Sequence, residues 1–541
     1  MVVESTNDDI GAGIRTGAGD RARGWQPRPD DRGFTILGPE EAAELPRDAG
    51  PAPEHFRDLN LDQIVAAVTR GREAHHLEPF LQTPVRNVAG AHWRHAVFRD
   101  LENLVVLGAV QGFAKDMQLC RARLGQEAEL HYGLQKRLWH LDAAQAYAET
   151  VRTFAADLAA SPAASAGFRA LAGRLAALTA SDDFRTLEAE IAEIRGKLAE
   201  VRYETVIHGD KVTVRRYEDA PDYSAAVERT FEKFKRGAVK DYRVKFAEDR
   251  RMNHVEAVVL EFVARLFPDA FGRLDDFASR RASFVAPLVG RFEREIQFYL
   301  AWVEHMARIR RAGLAFCYPE LSETDPAERS VAGFDLALAQ KLAAEEKPVV
   351  TNGYELSGPE RIIVVSGPNQ GGKTTFARAF GQLHHLASLG LPVPGTAAKL
   401  MLVDAVLAHF EREEDLTNLR GKLEDDLVRI RAILDRATPR SAIVLNEIFN
   451  STTLDDQVLL STRVLEQVMA KNSLCVCVSF IDELASLGPS TVSMVSTVVP
   501  DRPAERTFRV VRRKADGLAY AMSLAEKHGL TAARLQERLP S

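Results

Sequence analysis

The sequence predicts a multidomain protein in which an all-α region precedes an α/β domain. Two patterns carry this prediction. Over 56–320, long stretches without Pro or Gly place apolar residues at helical spacing. Over 321–541, short β-branched runs alternate with helical patterns, which is typical of an α/β fold. The remaining residues, 1–55, form a tail with a different composition.

Length and composition exclude several classes of protein. With 541 residues, 46% apolar and 27% charged, the chain is typical of a globular protein with three or four domains of ~150 residues. A balance of 70 Lys and Arg against 76 Asp and Glu gives a net charge of −6, which excludes binding of nucleic acid by bulk charge. No apolar run reaches the ~18–20 residues of a membrane span, and the N-terminus has no signal-peptide core. Four cysteines are too few for a disulfide framework, so we expect a reducing cytoplasm.

The tail over 1–55 combines Gly, Pro and charge with few large apolar side chains. Such a segment buries too little surface to offset the entropy that is lost when it becomes ordered. We therefore expect a mostly disordered tail, with one docked strand at residues 34–37.

Within 56–320, a clamp-like insertion is predicted at about 180–250. One helix there has apolar residues separated by 3, 4, 3, 4 and 3 positions, the a/d spacing of a coiled coil. These residues are Phe184, Leu187, Ile191, Ile194, Leu198 and Val201. Because the repeat is short, it indicates either a helix packed against a neighbour or one arm of a projecting helical pair. The β-branched residues that follow, at 203–217, surround a His-Gly-Asp turn and predict a β-hairpin.

A locally basic stretch begins in this hairpin. Between Lys211 and Arg251 there are twelve Lys or Arg and eight Asp or Glu, with aromatic residues interleaved. The stretch is either a solvated amphipathic helix or a surface that follows a phosphate backbone. In the second interpretation, the candidate nucleic-acid contacts are Arg215, Arg216, Lys233, Lys235, Arg236, Lys240 and Arg243.

The α/β domain contains a phosphate-binding motif. A buried-strand pattern at 361–366 leads into residues 367–374, which fit G-x-x-x-x-G-K-[ST], and a helical pattern runs on to about residue 389. Glycines let backbone N–H groups surround phosphates, and the helix turns its positive end towards them. Lys373 can reach the β- and γ-phosphates, while the Thr374 hydroxyl can ligate Mg²⁺. The predicted ATP-binding residues are Gly367, Pro368, Asn369, Gln370, Gly371, Gly372, Lys373, Thr374 and Thr375.

A second strand pattern, at 442–447, ends in residues suited to hydrolysis. We expect Glu447 to orient and polarise the attacking water, with Lys373 as the other catalytic residue. Asn446 takes the position where an Asp usually supports Mg²⁺, and its amide oxygen can contact a metal-bound water without adding charge. Together the two motifs predict a P-loop NTPase domain that hydrolyses ATP.

On these motifs the chain resembles the MutS family of DNA mismatch-repair ATPases. Residues 367–375 fit GPN-x-GGK-[ST]-T, and residues 446–456 are similar to the family's DEI-x-x-GTS-x-x-D stretch. Weaker matches are Val350-Thr-Asn352 and Glu414-Asp-Leu416. The resemblance implies that the P-loop NTPase domain is ABC-like. It further implies a homodimer whose helical levers and clamps enclose DNA, controlled by two composite ATP sites. It also implies that Ser451, Thr452 and Asp456 lie near the nucleotide of the neighbouring subunit.

The chain also departs from the family pattern. We expect the N-terminal mismatch-reading domain to be lacking, because the segment ahead of residue 56 is too short for it. Gly421 and Lys422 replace the Ser and Thr that the family offers to the partner's nucleotide. Ser479-Phe480 replaces a Thr-His pair whose His helps to sense the γ-phosphate.

We therefore expect a divergent, cytoplasmic and nucleoid-associated member of the family that recognises distorted or branched DNA by shape. One alternative is a nucleotide-switched clamp that binds ribosomal RNA or a protein and hydrolyses ATP slowly. Another is a small-molecule kinase, although nothing in the sequence resembles a phosphoacceptor lid.

Overall fold

The computed structural model describes residues 34–39, 50–208, 211–218, 229–230, 252–411, 421–499 and 502–514. The chain divides into two compact units. The first contains the described parts of 108–161 and 172–293, and the second those of 33–107, 162–171 and 294–541. Among the helices that the structure describes, none is long and apolar enough to cross a membrane.

Both units contain helices. In chain order the described helices are α1 (His55–Asp58), α2 (Leu61–Thr69), α3 (Glu78–Gln82), α4 (Val88–Leu101), α5 (Leu104–Glu129), α6 (Gly133–Ala160), α7 (Ala166–Thr179), α8 (Asp182–Ala199), α9 (His254–Leu266), α10 (Pro268–Arg280), α11 (Pro287–Arg310), α12 (Leu336–Ala344), α13 (Lys373–Ser388), α14 (Lys422–Arg436) and α15 (Leu454–Lys471). Short 3₁₀ helices lie at Glu73–His75 and Asp482–Ser486. Helices α5, α7 and α11 have residues in both units.

The coiled-coil-like repeat, except for Val201, lies in helix α8 and packs within the first unit. Ser181 caps this helix, since its Oγ accepts a hydrogen bond from the Phe184 N–H at 3.3 Å. Phe184, Leu187, Ile191 and Ile194 are all buried, and α8 contacts helices α6 and α10. The repeat therefore corresponds to a helix packed against its neighbours, the first of its two interpretations.

The predicted β-hairpin is confirmed. Strands β1 (Tyr203–His208) and β2 (Lys211–Arg216) pair antiparallel, in a register that joins Tyr203 to Arg216 and His208 to Lys211. Helix α9 packs against β2. This neighbour is expected, because an isolated two-stranded hairpin is only marginally stable in water.

The second unit also contains the strands of several sheets. They are β3 (Phe316–Cys317), β4 (Glu320–Ser322), β5 (Glu328–Gly333), β6 (Asn352–Leu356), β7 (Ile362–Ser366), β8 (Val393–Pro394), β9 (Ala397–Met401), β10 (Ala405–Phe410), β11 (Ser441–Asn446), β12 (Leu474–Val478), β13 (Thr491–Val499) and β14 (Arg502–Arg512). Within the described residues, the largest sheet has the order β10-β11-β12-β7-β13-β14. Its first five strands run parallel, and β14 is antiparallel to β13. Smaller sheets join β3 to β8 and order four strands as β4-β9-β5-β6.

The central strands of the large sheet have continuous apolar sequences because they are buried. Every residue of β7, β11 and β12 is buried. Parallel strands that are covered on both faces require continuous apolar runs rather than alternation. Cys475 and Cys477 lie in this core among Ile, Leu and Val side chains.

The parallel register brings the ends of three strands into one row. Asn446 at the end of β11 pairs with Val478 of β12, and Val478 pairs with Val365 of β7. With neighbouring strands ~4.8 Å apart, the backbones of Asn446 and Val365 are separated by about 10 Å. The residues that follow these strands therefore share one edge of the sheet.

Residues 34–37 are docked, but the strand predicted there is wrong. The four residues are at most 4% exposed and have irregular structure. The Glu295 carboxylate accepts hydrogen bonds from the Thr35 Oγ1 at 2.8 Å and from the Ile36 N–H at 2.9 Å. The backbone of this segment forms hydrogen bonds with side chains rather than with a neighbouring strand. Residues 34–37 therefore do not form a β-strand, although they are largely apolar. Residues 1–33 and 40–49 of the predicted tail lie outside the described residues.

Candidate nucleotide-binding site

The glycine-rich loop connects β7 to α13 and packs against β13. Gly367 has a φ of +113° and Gly372 a φ of +91°, both in the region that favours glycine. A Cβ on Gly367 would lie 2.7 Å from the Ser496 Oγ, and one on Gly371 would lie 2.5 Å from the same atom. The loop backbone therefore approaches β13 too closely for larger residues, which explains the glycines of the motif.

Lys373 is the first residue of α13, and its ammonium group lies inside the loop. Only 4% of the residue is exposed. Its Nζ donates hydrogen bonds to the carbonyl oxygens of Gly367 at 2.9 Å and Pro368 at 3.2 Å, and to the Asn369 Oδ1 at 3.3 Å. Burial lowers the pKa of Lys373 to about 8, although the Glu447 carboxylate partly opposes this shift. The ammonium group is thus held where the loop would surround a phosphate.

Asn446 and Glu447 lie at the edge of the sheet that this loop also occupies. Glu447 has a φ of +52°, and its N–H donates a hydrogen bond to the Val478 carbonyl oxygen at 2.9 Å. A left-handed conformation is strained for Glu, and such strain is typical of functional turns. Asn446 is 7% exposed, and its Oδ1 has no hydrogen-bond partner within the described part of the chain.

The oxygen donors at this edge fit a magnesium ion. Thr374 is a half-buried residue in the first turn of α13 and carries a hydroxyl, and Asn446 carries the amide oxygen that has no partner among the described residues. A buried acceptor without a donor is costly, so a cation or a metal-bound water is a fitting partner for it. Mg²⁺ prefers such oxygen ligands and retains several waters. Thr374 and Asn446 therefore fit the metal, with no charge contributed by Asn446.

Ser451, Thr452 and Asp456 lie together at the N-terminal end of α15. The Thr453 Oγ1 accepts a hydrogen bond from the Asp456 N–H at 3.3 Å. The Asp456 Oδ2 accepts hydrogen bonds from the Thr453 Oγ1 at 2.9 Å and the Thr452 Oγ1 at 3.3 Å. Ser451 and Asp456 are exposed. Local capping within one chain thus orders Thr452 and Asp456, two of the residues that the resemblance places near the neighbouring subunit's nucleotide.

Residues of strand β14 form three hydrogen bonds near the loop, with Asn369 and with Asn352. The Arg506 Nε donates a hydrogen bond to the Asn369 carbonyl oxygen at 3.1 Å. The Asn352 side chain donates to the Phe508 carbonyl oxygen at 3.1 Å and accepts from the Val510 N–H at 2.8 Å. Asn352 belongs to the weak family match Val350-Thr-Asn352 that precedes the loop strand, which is a reason to notice it in the sequence. No sequence pattern indicated Arg506, because only folding brings β14 to the loop.

Phe480 is a further neighbour of Lys373 that the sequence did not predict. It follows β12, and its ring centroid lies 4.1 Å from the Lys373 Nζ. The residue is nevertheless 48% exposed. The sequence indicated only that an aromatic side chain replaces the family's His at this position.

Two of the candidate nucleic-acid contacts lie within the described residues. Arg215 forms an ion pair with Glu204 across the hairpin. Arg216 donates a hydrogen bond to the Leu266 carbonyl oxygen at 2.6 Å, and its guanidinium carbon lies 4.9 Å from the centroid of the Phe267 ring. Both side chains therefore contact other groups of the first unit. Outside the described residues lie Lys233, Lys235, Arg236, Lys240, Arg243 and the Glu414-Asp-Leu416 match.

A buried parallel strand, a glycine-rich loop and a helix that begins at Lys373 together define an α/β domain of the P-loop type. Residues 363–537 match the family described as MutS domain V. That match includes the whole loop and the Asn446–Glu447 pair.

Several curated relatives carry the name DNA mismatch repair protein MutS. The protein from Granulibacter bethesdensis is 29% identical over 31% of this chain and 18% of its own length. The protein from Chlorobaculum parvum is 24% identical over 40% of this chain and 25% of its own length. The protein from Azorhizobium caulinodans is 31% identical over 33% of this chain and 20% of its own length. The chain thus matches a quarter or less of the length of these relatives, and the matches support a MutS-family member.

Proposed function

We propose that this protein is a MutS-like ATPase that binds DNA as a homodimeric clamp, in mismatch repair or a related repair or recombination process. The observation that carries the proposal is the sheet edge at which the loop around Lys373 meets Asn446 and Glu447. The match to MutS domain V and the names of the relatives support the DNA-binding part.

The residues at this edge have distinct roles in the proposed hydrolysis. The loop N–H groups and the N-terminal end of α13 bind the α- and β-phosphates. Lys373 binds β- and γ-phosphate oxygens, while its contacts with the loop carbonyls keep the ammonium group in position. Thr374 and Asn446 would hold Mg²⁺, which when bound neutralises charge on the phosphates. Glu447 accepts a hydrogen bond from the attacking water and orients it towards the γ-phosphate.

For DNA binding, we propose that the region 56–320 forms the levers and the clamp, with the clamp at about 180–250. The proposed partner is a distorted or branched duplex, contacted by Arg215, Arg216 and the basic residues after them. Ser451, Thr452 and Asp456 would face the nucleotide of the second subunit. Because DNA is the partner, the proposed location is the nucleoid-associated cytoplasm.

The test compares the wild type with Lys373→Ala and Glu447→Gln, using homoduplex, mismatched, forked and four-way DNA at two salt concentrations. We expect Lys373→Ala to lose nucleotide binding. Glu447→Gln should bind ATP but hydrolyse it at least ~10²-fold more slowly, the usual contribution of a general base. It should therefore accumulate as an ATP-bound dimer in sedimentation.

Two results would contradict the proposal. Hydrolysis by Glu447→Gln at the wild-type rate would mean that another group orients the water. Wild-type ATPase activity that none of the four DNA forms changes would remove the DNA-binding part.

The second candidate function is a nucleotide-switched clamp on ribosomal RNA or a protein. Asn446 favours it, because a neutral amide at the metal position supports slower turnover than a carboxylate would. Crosslinking from residues 211–251 to duplex DNA or to ribosomal RNA separates the two candidates. Crosslinks to RNA alone would favour the second.

A further inference from the structure

Phe480 is a large apolar residue that stays partly in solvent while it packs on a cation. The Lys373 ammonium group donates three hydrogen bonds, two to loop carbonyls and one to the Asn369 side chain. The Phe480 ring lies against the same group, with 4.1 Å between Nζ and the ring centroid. In this conformation the ammonium group is fully engaged with other parts of the protein.

The backbone on both sides of Phe480 is anchored. The Ser479 N–H donates a hydrogen bond to the Val365 carbonyl oxygen at 3.1 Å, which ties the segment to the end of β7. The Ile481 N–H donates to the Ser479 Oγ at 3.1 Å, and Ile481 itself is 3% exposed. Strand β12 lies between β7 and β11, the strands that carry the loop and the acid. The position of the ring over the site is therefore a consequence of the sheet.

Different groups of a P-loop bind the different phosphates of a nucleotide, so the ring does not affect all phosphates equally. Backbone N–H groups of such a loop bind the α- and β-phosphates, whereas the Lys reaches the β- and γ-phosphates. An aromatic face attracts a cation but offers no hydrogen bond to a phosphate oxygen. The ring leaves the loop N–H groups accessible, so the β-phosphate keeps those partners. The third phosphate does not have them, and the ring therefore competes mainly with the third phosphate for Lys373.

We propose that Phe480 is a specificity-determining residue that disfavours the γ-phosphate. A nucleoside diphosphate binds with the ring in place on Lys373, and a triphosphate binds only after the ring moves away. This inference rests on the proposed function, since it requires that the loop binds a nucleotide. In this proposal the Phe480 side chain discriminates between ATP, the substrate of hydrolysis, and ADP, the product.

The test measures the dissociation constants of ADP and of an ATP analogue with a non-hydrolysable β–γ bridge, both with Mg²⁺. Phe480→Leu keeps an apolar side chain but removes the aromatic face. We expect it to strengthen binding of the analogue by about tenfold relative to ADP. A tenfold change corresponds to about 1.4 kcal/mol, which lies within the range of a cation–π contact.

Phe262→Leu is the matched control. Phe262 is 42% exposed and also faces a cation, since the Arg265 guanidinium carbon lies 5.5 Å from its ring centroid. It belongs to helix α9 of the first unit, so both dissociation constants should stay at their wild-type values. Equal changes for ADP and the analogue in Phe480→Leu, or no change, would overturn the proposal.

A second measurement uses the wild type and does not depend on any variant. Hydrogen exchange of residues 479–486 should differ between the ADP-bound and the analogue-bound protein, because only the third phosphate displaces the ring. Identical exchange in the two complexes would overturn the proposal. Failure of nucleotide binding, the part of the proposed function on which this inference rests, is distinguishable, since then neither nucleotide would bind to the wild type.

Discussion

Nucleotide affinity should fall as the pH rises through about 8, because Lys373 loses its charge there. With a pKa of about 8, the ammonium form makes up about 90% of the protein at pH 7 and about 10% at pH 9. Only the ammonium form binds phosphate well, so the apparent dissociation constant should rise with the loss of that form. We expect affinity for a Mg²⁺-bound, non-hydrolysable ATP analogue to weaken by about tenfold between these two pH values, or about 1.4 kcal/mol.

The sign of this dependence follows from the direction of the pKa shift. Burial lowers the pKa of Lys373 in the free protein, whereas bound phosphates favour the charged form and raise it again. Binding above pH 8 must therefore take up a proton, and binding at pH 7 must take up almost none. A lysine with its ordinary pKa near 10.4 would show neither effect in this range.

Isothermal titration calorimetry at pH 7 and pH 9, in two buffers with different ionisation enthalpies, measures both affinity and proton uptake. Lys373→Arg is the control, because a guanidinium group stays protonated over the whole range. Its affinity should depend only weakly on pH. A wild-type affinity that is the same at pH 7 and pH 9, with no proton uptake at pH 9, would refute the reasoning.

Two further predictions concern the metal position and the docked tail segment. Asn446→Asp adds a charge at the unpartnered amide oxygen and should lower the Mg²⁺ concentration for half-maximal hydrolysis by about tenfold, or roughly 1.4 kcal/mol. An unchanged Mg²⁺ requirement would mean that this residue does not reach the metal or its waters. Ile36→Ala removes a side chain that is 0% exposed and should lower the free energy of unfolding in urea by about 2–4 kcal/mol. Leu119→Ala, at a residue that is 52% exposed, should change it by no more than about 0.5 kcal/mol. If the two variants are equally stable, residues 34–37 are not docked in solution.

The local elements of the candidate site could be predicted closely from the sequence. The strand expected at 361–366 is Ile362–Ser366, and the strand expected at 442–447 is Ser441–Asn446. The helix after the loop begins at Lys373. These predictions succeed because a buried parallel strand and a glycine-rich turn each impose residue types on a short stretch of chain.

At residues 34–37, in contrast, the local sequence pattern predicts the wrong type of structure. Its apolar, β-branched composition is typical of a strand, and its burial was expected. Hydrogen bonds to the Glu295 carboxylate, about 260 residues away in the chain, replace the pairing that a strand would need. No local pattern contains that partner, so the type of structure could not be predicted.

By itself the sequence determined which chemical groups are present: a glycine-rich loop, one ammonium group, one hydroxyl and an amide–carboxylate pair. The tertiary structure decided what those groups experience. Burial lowers the pKa of Lys373, the fold leaves the Asn446 oxygen without a partner among the described residues, and β12 brings the Phe480 ring onto the ammonium group. Solvation and electrostatic environment depend on which distant strands become neighbours, and only the folded sheet determines that arrangement.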